Sequence, residues 1–194
     1  MTLPQRLLSA WIRATARFRG SDSPWDRVPM SVPPTAFGFG SRRPFADYFE
    51  GESRVSVRTI DDIVEWLRGC EYVSDPELFH ERDYWQHPGA FEQLRRGDCE
   101  DFALWTWRKL AEIGLDAEFV VGRVLFDPGG ALDRHHAWVV FRSDDGEFLF
   151  EPAARDRERM IRPLDDVRAA YIPHFAVDRR LATCAFVGCT VAAL

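Results

Sequence analysis

The chain is predicted to fold as an α+β domain, helices packed on an antiparallel β-sheet, because helical signals come first and consecutive strand signals follow. Three observations carry this. Apolar residues recur at three- and four-residue steps as far as Gly114, the step shortens to two from Glu118 onward, and Ser143-Asp144-Asp145-Gly146 separates two of the alternating runs. The 194 residues, 46% hydrophobic and 13% aromatic, suffice for one core. One domain over residues 54–194 is expected, preceded over 1–53 by an amphipathic helix and a Pro- and aromatic-rich arm.

Element by element, Thr2 to Phe18 places Leu3, Leu7, Leu8, Trp11, Thr15 and Phe18 at helical spacing, with Arg6, Arg13 and Arg17 largely elsewhere. A basic amphipathic helix suits a membrane surface, but packing on the protein's own domain is the commoner use and is the expectation here. Residues 21–53 carry Pro24, Pro29, Pro33, Pro34 and Pro44 with Gly38 and Gly40, which excludes long regular elements. Trp25, Phe37, Phe39, Phe45, Tyr48 and Phe49 distinguish the segment from a flexible linker. An ordered arm is expected, with Trp25, Phe37 and Phe45 mostly buried.

Arg54 to Ile60 alternates as a short strand, and Thr59 or Asp61 caps a helix through Ile63, Val64 and Leu67. Helical pieces are expected to continue to Arg96. A longer helix starts at Asp98 and runs through Phe102, Trp107 and Leu110 to Gly114, where a left-handed cap favours glycine. Strands are then expected at Glu118–Phe126, His135–Arg142 and Glu147–Glu151, a helix at Leu164–Ala170, and strands at Ile172–Val177 and Leu181–Val187.

Charge and cysteine content exclude several classes of function. A net charge of −6 gives no electrostatic footprint for a phosphate backbone, so nucleic acid is not an expected partner. The charge is uneven: residues 1–58 hold nine Arg against five acidic residues, a net +4, which leaves −10 for the rest. Lys109 is the only lysine, a bias attributed to base composition. Cys70, Cys99, Cys184 and Cys189 follow no disulfide-scaffold or zinc-ribbon spacing. No run approaches the roughly 18 apolar residues of a membrane span, and arginines interrupt any signal-peptide core. A reducing, cytoplasmic setting is expected.

Gly97-Asp98-Cys99-Glu100-Asp101 opens the long helix, with Asp98 as N-cap and Asp101 placed to reach back to it. Cys99 therefore sits in the first turn, where unpaired N–H groups and the helix dipole favour a thiolate. Three neighbouring carboxylates oppose this by like-charge repulsion. Further along lie His135-His136-Ala137-Trp138, and then Phe150-Glu151-Pro152 at the end of the next strand. Here the chain resembles the transglutaminase-like superfamily, and within it the bacterial transglutaminase-like cysteine proteinases, over roughly residues 55–155. Their pattern is a Gly-Asp-Cys-Glu-Asp helix start, a His-Ala strand, and a neighbouring strand ending in an acid. The resemblance implies a papain/transglutaminase-like fold and a triad of Cys99, His136 and Glu151, with Glu151 departing from the usual Asp.

Strand alternation turns His135 away from His136 and makes it structural or surface. A hairpin pairing Arg142 with Glu147 leaves Glu151 diagonal to His136 on one face, whereas an Asp145-Gly146 turn would separate them by roughly 13 Å. Asp133 and Asp156 are the rival acids. The Cys99 N–H is one oxyanion donor, with Gln93 and Trp85 as candidates for a second. No cofactor or metal is required by the residues; the resemblance implies calcium at Asp98 and Glu100 in some members, and helix capping explains both without it. The expected activity is a cysteine peptidase or amidase on a protein or peptide substrate, with amine transfer or a silent binding module as alternatives. Nothing in the sequence specifies an oligomeric state.

Overall fold

A computed structural model describes residues 10–15, 23–125 and 134–191. The described helices are α1 (residues 10–15), α2 (Ile60–Arg68), α3 (Asp75–Leu78), α4 (Pro88–Leu94), α5 (Cys99–Glu112), α6 (Arg157–Met160), α7 (Leu164–Val167) and α8 (Gly188–Val191). The strands are β1 (Arg27–Val28), β2 (Glu71–Tyr72), β3 (Arg96–Gly97), β4 (Asp116–Val124), β5 (Arg134–Ser143), β6 (Gly146–Phe150), β7 (Ile161–Pro163), β8 (Tyr171–Asp178) and β9 (Thr183–Phe186). Seven of them form one antiparallel sheet in the order β1-β9-β8-β4-β5-β6-β7, giving the α+β arrangement that the order of signals predicts. Alternation along the central strands feeds two cores. Phe119, Val121, Ala137 and Val139 join the core shared with α5, while Val120, Trp138 and Val140 join a second with Leu149 and Tyr171.

Helix α5 is buried on nearly every side, including Arg108 and Lys109, and this resolves the largest departure from expectation. Arg54 to Thr59 forms no strand and belongs to no sheet. Its polar groups are met by side chains: Arg54 N–H donates to Glu92 at 2.7 Å, and Lys109 Nζ donates to the Val55 carbonyl at 2.7 Å and to the Ser53 hydroxyl. Lys109 also pairs with Glu92 at 3.2 Å and Glu112 at 2.9 Å. Arg108 binds the Glu50 and Gly51 carbonyls at 2.9 and 2.7 Å. The chain from Tyr48 to Val55 is thus sewn to the helix, and no ladder is needed to satisfy it. Thr59 does cap α2, in a capping box with Asp62. Gly114 ends α5 with φ +86°.

In the arm, Phe37 and Phe45 are buried, meet edge-on at 4.7 Å and both reach Phe119. Trp25 is half-buried and donates to the Arg168 carbonyl at 3.0 Å. The arm also supplies β1, which pairs with β9 through Arg27↔Phe186 and Val28↔Ala185. On α1 the expected face is wrong: Trp11 is 64% exposed and Ile12 is fully buried. Adjacent helical residues point about 100° apart, so only one of them can face the core. The rest of the Thr2–Phe18 stretch, and Phe126 at the expected end of β4, lie outside the described residues.

Two smaller differences flank the site. The region before Arg96 is not all helical, since β2 and β3 form a short parallel pair, and α7 stops at Val167 rather than Ala170. The β5–β6 hairpin has the required register, Arg142↔Glu147, with one further pair at Ser143↔Gly146 and Asp144-Asp145 as the turn. The last pair is Val139↔Phe150, so Glu151 follows next to Trp138 and diagonal to His136.

Candidate active site

The N-terminus of α5 is held by a buried carboxylate. Asp101 Oδ2 accepts the Asp98 N–H at 3.4 Å, while its Oδ1 accepts the Gln86 N–H at 2.8 Å and Gln86 Nε2 also donates to Oδ2. A Cβ on Gly97 would fall on Asp101 and Gln86, so only glycine lets the chain pass this close. Cys99 follows as the first helical residue. Its thiol donates to Glu100 Oε2 at 3.2 Å and faces the backbone N–H of Ala137, the neighbour of His136. Burial and the Glu100 and Asp98 charges push the thiol well above its ordinary value, against the lowering effect of that N–H.

His136 meets Glu151 Oε2 through Nε2 at 2.7 Å. An ionised carboxylate only accepts, so Nε2 carries the proton and Nδ1 is the basic ring nitrogen. The imidazole also lies along Trp138, with centroids 6.3 Å apart. Burial alone would raise the Glu151 carboxyl, but the His136 charge and hydrogen bond, the Tyr171 hydroxyl and the Ala153 N–H outweigh it and hold it below the usual glutamate value. Of the rival acids, Asp156 is exposed at the start of α6 and Asp133 lies outside the described residues.

Cys99 and His136 line one cavity of about 770 Å³. Phe37, Phe39, Tyr72 and Trp85 contribute aromatic lining, Asp75, Asp83 and Glu100 acidic lining, and Arg123, His135 and His174 line it as well. His135 is exposed, its ring 6.0 Å from that of His174. The two oxyanion candidates fare differently. Gln93 is exposed on α4 and does not reach the cavity; the amide of that region that is turned inward belongs to Gln86. Trp85 lines the cavity, but its Nε1 donates to Asp83 Oδ1 at 2.8 Å.

Helix capping accounts for Asp98 and Asp101, which form a capping box at this helix start, but it does not reach Glu100 or Asp75. Asp98 Oδ2 accepts the Asp75 N–H at 3.3 Å and Asp75 Oδ2 the Tyr84 N–H at 2.5 Å, while Asp98 Oδ1 and Asp75 Oδ1 are buried with no hydrogen-bond partner among the described residues. Glu100 is buried and contributes oxygens within 4.8 Å of those of Asp75 and Asp83. Burial and mutual repulsion raise the carboxyls of Asp75, Asp98 and Glu100, Asp75 to about 6. Crowded, buried carboxylate oxygens are hard donors of the kind a divalent cation of the calcium type takes. Asp75 and Asp83 escaped the sequence reading because nothing local joins them to Cys99.

The model of the bacterial transglutaminase-like cysteine proteinases matches residues 51–172. Among solved structures, LapG of Legionella pneumophila is matched at 17% identity and a TM-score of 0.47, over 71% of this chain and 67% of that one. Its calcium-bound form is matched at 16% identity and a TM-score of 0.49, over 88% and 84%. A search of curated proteins finds no match.

Proposed function

The chain belongs to the bacterial transglutaminase-like cysteine proteinases, and on that premise we propose that Cys99, His136 and Glu151 hydrolyse a peptide bond through an acyl-enzyme. The observation that carries this is the 2.7 Å His136–Glu151 pair, with His136 lining the cavity that also holds the helix-start cysteine. Cys99 Sγ attacks the carbonyl carbon as His136 Nδ1 takes the thiol proton, and Glu151 stabilises the resulting imidazolium. The Cys99 N–H faces the oxyanion that forms. His136 then protonates the leaving amine. Water adds to the thioester with His136 as base, which releases the acid and restores the thiol. Aromatic side chains along the cavity suit a peptide with apolar residues near the cleaved bond.

Asp75, Asp98 and Glu100, with Asp83 beside them, would hold a calcium ion. Bound there, the ion supplies positive charge beside the thiol and gives the orphaned carboxylate oxygens a partner. The chain's own residues carry every proton of the reaction.

The test is hydrolysis of an unstructured protein substrate, with the products identified by mass spectrometry and an amine added as competing acceptor. Cleavage lost in Cys99→Ala and in His136→Ala is the expected result. Incorporation of the amine in place of cleavage would make the enzyme a transferase, and activity retained in Cys99→Ala would remove the nucleophile.

A further inference from the structure

We propose that Tyr171 is a positioning residue of the active site, its hydroxyl, aligned by Arg162, holding the Glu151 carboxylate so that His136 keeps a single tautomer. The inference rests on the reading of Glu151 as the group that orients His136. Arg162 Nη2 lies 2.9 Å from the Tyr171 hydroxyl, which lies 3.0 Å from Glu151 Oε2, the oxygen that His136 Nε2 meets at 2.7 Å. A guanidinium has donors only, so the hydroxyl accepts from Arg162 and turns its own proton to Glu151. Oε2 then accepts from two sides and cannot carry a proton itself. This matters because the carboxyl is buried: were Oε2 protonated, it would donate to Nε2 and move the imidazole proton to Nδ1, the nitrogen that must accept from the thiol.

The geometry also explains how a glutamate serves where the family's pattern has an aspartate. The extra methylene adds a torsion, and a second anchor on the same oxygen removes the freedom it brings. That anchor is rigid without its hydroxyl. The buried Tyr171 ring stands edge-on to Trp138 at 5.2 Å, Trp138 lies along His136, and the Arg162 guanidinium sits 5.4 Å from the Tyr171 centroid. Tyr171→Phe therefore removes the two hydrogen bonds of the hydroxyl, from Arg162 and to Glu151, and leaves the ring packing in place.

The experiment uses the full chain. In Tyr171→Phe, kcat for peptide cleavage is expected to fall about tenfold or more with KM unchanged, since a hydrogen bond to a charged group is lost only where charge develops. In a Glu151→Gln background the same substitution should change nothing further. Arg162→Met, which frees the hydroxyl to rotate, should give a smaller loss in the same direction. Independently of activity, histidine-labelled Cys99→Ala protein should show by nitrogen NMR one His136 tautomer, protonated on Nε2, and a mixture once Tyr171→Phe is added. A single unchanged tautomer and full kcat in Tyr171→Phe overturn the proposal. If instead Glu151→Gln keeps full turnover, the triad reading fails, and the tautomer measurement still decides what Tyr171 does.

Discussion

Glu151 and Lys109 are two buried charges with opposite assignments, one to chemistry and one to architecture. Glu151→Gln keeps the side chain's shape but no longer stabilises an imidazolium, so kcat should fall by about a hundredfold or more at nearly constant KM, with the fold preserved. Steady-state kinetics on the folded variant decide it. Lys109 is fully buried against Glu92. Lys109→Met fits the volume yet strands that carboxylate, at a cost of roughly 3 kcal/mol in urea unfolding, and adding Glu92→Gln should recover part of it. The proximity of His136 and Glu151 is legible in the sequence because hairpin register has a parity. Tyr171 and Arg162 are not, because they reach the site from β8 and β7, through pairings that no local spacing encodes.

At the scale of elements, the helix start and the strands behind it follow from local rules, namely capping, period and a terminal glycine. What local rules miss is the segment whose hydrogen bonds go to side chains. Arg54 to Ile60 alternates like a strand, yet Lys109 and Glu92 satisfy it in place of a neighbour. The segment from Asp75 to Asp83, which opens with α3, is a similar case, since its meaning appears only when it meets Asp98 and Glu100. Burial, and then the charges of Asp98 and Asp83, push the Asp75 carboxyl up to about 6 against the effect of the Tyr84 N–H. A carboxyl raised on folding holds its proton more tightly when folded, so its contribution is present below the unfolded value and is lost as pH rises through about 6. In a chelator, melting temperature should therefore rise from about pH 7 to about pH 5. Saturating calcium should raise it at neutral pH and flatten that slope, and Asp75→Asn or Asp98→Asn should shrink the calcium shift. A melting curve indifferent to calcium would remove the cation site.

Across the whole molecule, the arm is part of the structure that carries the cavity. Phe37 is both a core residue and a lining residue, so the wall over Cys99 is built from chain that precedes the first helix of the sheet domain. Limited proteolysis should leave residues 23–53 uncut while the protein is folded. Phe45→Ala should cost about 3 kcal/mol and expose the arm to cleavage before the rest unfolds. Rapid cutting within the arm of the unaltered protein would contradict its place in the core.

The pairing of β1 with β9 joins residues 27 and 186, which leave the ribosome far apart in time. Until β9 emerges, β1 has no partner edge, even though Phe37 and Phe45 can already reach Phe119. Contacts of such long sequence separation close late and slow the overall rate. The outer edge of the sheet is thus begun early and completed late, and a nascent chain arrested before Thr183 should hold a formed α5 and β4–β6 beside an unpaired β1.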